Sequence, residues 1–211
     1  NAISAYGRAC DWDDLERWGA RLMALAEDPA FADDREIRFQ EAAAAYNAIT
    51  TYGGACRWDD LERWGARLTA LAEDPTFAGD HEIRPREAEG AVNAINEYGN
   101  AGRWEDLERW GARLTALAEA PMFAGDREIR LQEAQGAVNA IGVYGSERHW
   151  DDLEHWGARL TALAEDQRCA DDREIRFQEA KGARNAIAGY GRYGSERHRD
   201  DLERWGSRLT A

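Results

Sequence analysis

WDDLERWGARLTALA, running from Trp58 to Ala72, recurs almost letter for letter from Trp12, Trp104, Trp150 and Arg199. Between the copies lies a second recurring stretch, of the type AGDREIRLQEAQGAVNAIGVYG at Ala124 to Gly145. The pair repeats every 46 residues. A period of that size marks an array of small supersecondary units and overrides the length-based expectation of one or two ordinary domains.

The Trp58 stretch reads as an amphipathic helix, called helix B here. At about 100° per residue, Trp58, Leu61, Trp64, Gly65, Leu68 and Leu71 fall in one arc, while Asp59, Glu62, Arg63, Ala66 and Arg67 fall outside it. Asp59 and Asp60 occupy the first turn, where negative charge suits the helix dipole. Asp59 and Arg63 have the spacing of an i,i+4 ion pair. Burial of two Trp per repeat, each removing roughly 150–250 Å² from water, is expected to dominate cohesion. The glycine at Gly19, Gly65, Gly111, Gly157 and Gly206 costs about 1 kcal/mol in mid-helix. Its recurrence predicts a close neighbouring backbone.

Helix B is expected to end near Glu73. Asp28-Pro29, Asp74-Pro75 and Ala120-Pro121 punctuate the chain there, and Phe31, Phe77 and Phe123 follow as plugs beneath the loop. The fourth unit carries Gln167 and Cys169 instead, which predicts a looser loop. Asp34, Asp80, Asp126 and Asp172 are N-cap candidates for a second helix, helix A. It should run to Tyr52, Tyr98, Tyr144 or Tyr190 and stop at the following Gly. Pro85 should bend or delay its copy. Three extra residues enter around Tyr190 to Arg192, and Arg199 replaces the leading Trp, so the last helix B is expected to pack poorly or to need residues beyond Ala211.

Aligned on the Asn-Ala-Ile triplet, the units are 1–46, 47–92, 93–138, 139–184 and a partial 185–211, forming one array. Asn1 and Ala211 both fall inside a repeat, so a piece of a longer array is expected. The second and third units match at 35 of 46 positions, which makes the differences between copies informative. The formal net charge of −14 argues against nucleic acid, whose binding relies on Lys and Arg, and against an anionic membrane surface. Cys10, Cys56 and Cys169 form an odd, unpatterned set, the usage of a reducing compartment. No apolar run is long enough to span a bilayer and no signal peptide is evident, so a cytoplasmic location is expected. The Ala, Arg, Gly and Asp bias suits a bacterium with GC-rich DNA.

Two antiparallel helices per repeat make an α-solenoid unit. Asn47-Ala-Ile-Thr-Thr-Tyr52, then Trp58-Asp-Asp-Leu61, then Asp74-Pro75 resembles the tetratricopeptide repeat family, with its Asn…Tyr, aromatic-acidic-acidic-small and Asp-Pro pattern. The likeness covers every unit. The chain departs in its 46-residue period, in Leu61 at a place where a small residue is commoner, and in Trp64-Gly65 where paired aromatics are usual. HEAT-type repeats have a similar length but lack the Asp-Pro and aromatic pattern. The resemblance implies an all-α, right-handed superhelical α-solenoid of antiparallel hairpins whose concave face is lined by helix A.

Helix A periodicity places Ala88, Ala91, Ala94, Ile95 and Tyr98 on a packing arc opposite Asn93, with Arg86, Glu89, Asn96 and Glu97 near the Asn. Asn47, Asn93, Asn139 and Asn185 never change, while their surroundings do. Gln40, Arg86, Gln132 and Gln178 form one row, and Ala43, Glu89, Gln135 and Lys181 another. Thr50, Asn96, Gly142 and Ala188 form a third, and Thr51, Glu97, Val143 and Gly189 a fourth. A constant amide in a variable polar surround is what a peptide groove needs. In the family an Asn at this position helps grip a peptide. That implication extends to these four Asn residues only; Arg86 and Lys181 are the nearest candidates for an accompanying basic clamp. The same Asn could instead bond a neighbouring helix and set stacking.

Arg38, Arg84, Arg130 and Arg176 are constant and lie towards the packing arc, which predicts ion pairs with an adjacent helix. The Arg67 row reads as solvated or inter-repeat. His81, His149, His155 and His198 show no metal-ligand spacing, Ser146 and Ser195 have no triad partners, and the many Asp and Glu read as surface and first-turn residues. No cofactor and no enzymatic activity are expected. The expected partner is a protein or peptide on the helix A face. The alternative is a structural or regulatory array that spaces or restrains an effector domain, or self-associates end to end through open repeat faces.

Overall fold

A computed structural model describes residues 12–77, 79–123, 125–169, 171–194 and 198–208. Cys10, Ser195 and the first Asn-Ala-Ile triplet lie outside them. The described residues form nine α-helices and no strand. Five are helix B copies: α1 (Trp12–Glu27), α3 (Trp58–Glu73), α5 (Trp104–Glu119), α7 (Trp150–Glu165) and α9 (Arg199–Arg208). Four are helix A copies: α2 (Arg35–Gly54), α4 (Ile83–Asn100), α6 (Arg127–Glu147) and α8 (Arg173–Tyr193). The protein is an all-α helical repeat. No helix among the described residues is long and apolar enough to cross a membrane.

The chain divides into two compact units, Asn1–Glu97 and Tyr98–Ala211, with the division inside α4. In the first, α1 packs on α2 and α2 on α3. In the second, α6 packs on α5, α7 and α8, while α8 packs on α7 and α9.

The aspartates cap helix A as expected. Asp34 accepts a hydrogen bond from the Ile37 amide, and Asp126 and Asp172 each accept from two amides of the first turn. Asp80 accepts from Glu82 and Ile83, but α4 starts two residues later in the repeat than its counterparts. Pro85 is third in that helix, where a missing N–H costs no hydrogen bond, so it delays the start without breaking the helix. The C-terminal expectation fails. Gly53, Gly99 and Gly145 lie inside their helices, which run on to Gly54, Asn100 and Glu147. These glycines are buried: a Cβ on Gly99 would meet Val143 at 3.0 Å, and Gly145 and Gly189 bring two backbones together. Cys56, Gly102 and Arg148 take the left-handed conformation, with φ of 57°, 69° and 67°. Only Gly adopts it without a Cβ penalty.

In α3 the buried residues are Leu61, Trp64, Gly65, Leu68, Leu71 and Ala72. Trp58, although on the predicted arc, is only half-buried, as are Trp12, Trp104 and Trp150. Trp64, Trp110, Trp156 and Trp205, each the second Trp of its helix B motif, are core residues, whereas Trp18 at the same place in α1 is 41% exposed. Three of them sit on the helix B glycine of the preceding repeat: a Cβ on Gly19 would lie 2.6 Å from the Trp64 ring, and Trp156 and Trp205 cover Gly111 and Gly157 in the same way. The close neighbour is an indole, not a backbone.

Phe77 and Phe123 plug their loops, whereas Phe31 is 40% exposed. The fourth loop is no looser. Cys169 is buried, and its amide and carbonyl make the same two turn hydrogen bonds, to Asp166 and from Asp172, that Phe123 makes with Ala120 and Asp126. The last helix does not pack poorly through its described residues, because Trp205 is fully buried although Arg199 replaces the leading Trp. The three extra residues leave α8 the same length as α6 and lengthen the connection to α9.

Candidate functional site on helix A

The predicted packing arc is correct: Ala88, Ala91, Ala94, Ile95 and Tyr98 are all fully buried. Opposite them the four Asn residues are half-buried. Their partners differ. Asn47 Nδ2 donates to the Ala43 carbonyl at 2.6 Å on its own helix. Asn93 Nδ2 donates to Thr50 Oγ1 on α2 at 2.8 Å. Asn139 accepts from Gln135 at 2.9 Å, and Gln135 in turn accepts from Lys181 on α8 at 3.5 Å. Asn185 faces Gly142 of α6, with its Nδ2 3.3 Å from where a Cβ would stand.

For Asn93 and Asn185 the facing residue differs. Where Thr50 stands, the amide is bonded to the neighbouring helix. Where Gly142 stands, no side chain fills the space, and a cavity of about 200 Å³ opens. Gly142, Gly145, Ala188 and Gly189 form its apolar part, with Asn185, Ser146, Arg192 and Tyr193 around it. Arg192, Ser146 and Tyr193 were not among the predicted site residues; they belong to the helix ends, beyond the reach of the Asn-centred periodicity.

The other predicted positions are mostly engaged locally. Gln40 and Gln132 donate to Glu36 and Glu128 one turn earlier, and Arg86 pairs with Glu89 at 2.6 Å while lying over the Phe39 and Tyr46 rings. Gln178 has a buried side-chain oxygen without a hydrogen-bond partner. Three members of the row of Thr51, Glu97, Val143 and Gly189 are taken up in helix packing, with Gly189 also bordering the cavity. Glu97 lies against Gly53, Val143 against Gly99 and Gly189 against Gly145, so this row packs successive A helices. Burial there raises the Glu97 carboxyl above its ordinary range.

Two acidic rows that read as surface charge are structural. Glu41, Glu87 and Glu133 are fully buried. Arg38 bonds Glu41 at 2.9 Å and Arg84 bonds Glu87 at 3.3 Å on their own helices, while Arg130 of the same row reaches Asp166, the residue that ends α7, at 3.5 Å. The Arg67 row adds further cross-helix charge. Arg67 bridges Glu41 and Glu27, and Arg159 bridges Glu133 and Glu119, which selects the inter-repeat reading of that row. Burial raises the Glu133 carboxyl despite Arg159 beside it. The recurring Arg-x-x-Glu spacing on the packing side was the available signal. On helix B, each described Arg of the Arg63 row pairs with the Asp three residues earlier: Arg17 with Asp14, Arg63 with Asp60, Arg109 with Asp106 and Arg204 with Asp201.

A second constant Glu, on helix B, joins hairpins. Glu108 accepts from Tyr144 Oη at 2.6 Å and from Trp156 Nε1 at 2.9 Å. Glu154 accepts from Tyr190 at 2.7 Å and from Trp205 at 2.9 Å. The leading Trp lies beside the same Tyr, with centroids 5.6 Å apart for Trp12–Tyr52, 5.3 Å for Trp104–Tyr144 and 4.7 Å for Trp150–Tyr190. The residue before the next helix B covers this pair: Arg57 over Trp12 and Tyr52, His149 beside Trp104 and Tyr144, His198 beside Trp150 and Tyr190. Among the described residues no group of His, Cys, Asp and Glu could hold a metal ion. No protein-family model matches the chain, and no curated protein or solved structure shows significant similarity to it.

Proposed function

We propose that this array is a tetratricopeptide-like binding module that takes a peptide or protein segment along the helix A face. The observation that carries this reading is the Asn row. A residue kept for stacking would repeat one bond, whereas Asn47, Asn93 and Asn139 each bond a different kind of group and Asn185 faces a cavity. An amide that can both donate and accept suits an extended peptide backbone. The variable Gln40, Arg86, Gln132, Gln135, Gln178 and Lys181 around the row would then supply selectivity. The test is capture of a partner from native lysate by the chain and by a variant carrying Asn47→Ala, Asn139→Ala and Asn185→Ala, with circular dichroism showing that both are helical. A partner lost only with the variant supports the reading. A partner kept by both moves binding to another surface.

A second reading is a spacer or regulatory array that restrains an effector. The Glu–Tyr–Trp joints and buried Arg–Glu pairs favour it, since they stiffen successive hairpins without reference to a ligand. Absence of any captured partner would favour it over the first.

A further inference from the structure

We propose that the outer face of α8 docks an acidic amphipathic helix of a partner protein, a contact that uses none of Asn47, Asn93 and Asn139. Arg173, Phe177, Lys181, Arg184, Ala188 and Arg192 are spaced by three and four residues and share one face of that helix. All are exposed except Lys181, which is half-buried. The same register in α6 shows what such a face is for. There Arg127 bonds Asp172 at 2.6 Å and pairs with Glu174, and Leu131 packs on Ala164, Cys169 and Ile175. Gln135 accepts from Lys181, and Gly142 faces Asn185. Apart from Ala164 of α7, these partners belong to α8 or to the turn before it, so the face is the one on which a following helix packs.

In α8 the chemistry of this face changes. Arg184 stands in the place of the buried Val138, Lys181 in that of Gln135 and Arg192 in that of Ser146. The helix holds five basic and two acidic residues, against two and three in α6, within a chain of net charge −14. Both of its carboxylates are already matched, Glu174 by Arg127 and Glu179 by Arg176. Four cations therefore flank Phe177, which is 63% exposed. A further helix A of the standard sequence would bring its glycine to Arg184, as Gly182 comes to Val138, and would take water from the guanidinium without supplying a counter-charge. A helix with carboxylates beside an apolar stripe supplies both needs: acids for the four cations, and a seat for Phe177 and Ala188. The start of α8 already does the first of these, since Asp172 and Glu174 grip Arg127.

The probe is a labelled peptide of Leu and Glu with Leu at helical spacing, titrated with the whole chain and followed by fluorescence anisotropy. Saturable binding that weakens with added salt is expected. The Lys181→Glu/Arg184→Glu variant should bind it at least about tenfold more weakly and should take a Leu–Lys peptide of the same spacing instead. Arg184→Val, which restores the residue of α6, should also weaken the Leu–Glu peptide, and circular dichroism would show that each variant is helical. An Asn47→Ala/Asn139→Ala variant should bind it as the wild type does, so that failure here is distinct from failure of the Asn row as a peptide site. Lack of binding to the Leu–Glu peptide would overturn the proposal. Equal binding of a scrambled peptide of the same composition would do so too, because it would reduce the face to a general attraction for polyanions. Tighter binding of a peptide with the sequence Arg127–Glu147 would also overturn it, by showing that the face takes another repeat helix.

Discussion

The joint among α1, α2 and α3 and the joint among α5, α6 and α7 share the same Glu, Tyr, Trp and Gly, yet they are wired differently. In the second, Glu108 accepts from both Tyr144 and Trp156. In the first, Glu16 turns to Arg57 at 2.8 Å, and the Tyr52 hydroxyl and Trp64 indole are buried without a hydrogen-bond partner. The residue before helix B accounts for the difference. Arg57 reaches the carboxylate, whereas His149, shorter, stays with Asp152. The neighbouring Arg63 position is not the cause, because Glu154 holds Arg204 on one oxygen and Tyr190 and Trp205 on the other. A solvated cation thus competes with two buried donors for one acceptor, and the repeat tolerates either outcome because the Trp-on-Gly packing survives both.

The strongest test of this comparison removes the indoles. Trp156→Ala is expected to cost about 3–5 kcal/mol of unfolding free energy. Trp64→Ala should cost less, because it forfeits packing but no hydrogen bond. Equal urea midpoints for the two variants would show that the Glu108 bond adds nothing. Next, Glu108→Ala should cost roughly 1–3 kcal/mol, since it strands buried donors. Glu16→Ala removes only half-exposed ion pairs and should cost under about 1 kcal/mol. In an Arg57→His background the Glu16→Ala cost should rise to match; if it does not, Arg57 is not what turns Glu16.

Of the same order or smaller is the effect of filling the helix B glycine. Gly111→Ala drives a Cβ into the Trp156 ring and should cost about 1–3 kcal/mol, whereas a Cβ on Gly206 meets nothing within 4 Å. Gly206→Ala should therefore be neutral or gain up to about 1 kcal/mol from helix propensity. Thermal melts of the two variants would rank them directly. The effect smallest at neutral pH concerns Tyr144 and Tyr190. Burial, then the hydrogen bonds to Glu108 and Glu154, hold both phenols above the ordinary tyrosine range. A phenol whose folded-state pKa is raised costs nothing below its unfolded value of about 10, and destabilises the fold as the pH climbs above it. Tyr144→Phe should reduce this alkaline loss, read as urea midpoints at about pH 8 and pH 11.

Much of the fold was legible because repetition states the same local rule several times. The Asp caps, the helix B boundaries and the alanine arc of helix A follow from residue type and a helical period, both local properties. The candidate site was legible only in part. Periodicity finds which face Asn185 is on, but not that Gly142 of another helix leaves its amide over a cavity. Nor does it separate Glu97, pressed against Gly53, from a residue lining a groove, since both lie within one arc of the same helix.

The sequence by itself determined the all-helical hairpin unit, its period and the identity of its constant residues, because capping, propensity and amphipathicity act within a few turns of chain. Tertiary structure alone decided which charges are buried, which Trp is core and which is a half-exposed platform, and which donor each Glu accepts. Those outcomes depend on distances between side chains about one repeat apart in sequence. There a burial penalty and a competing ion pair are close enough in energy that one Arg-to-His difference changes the result.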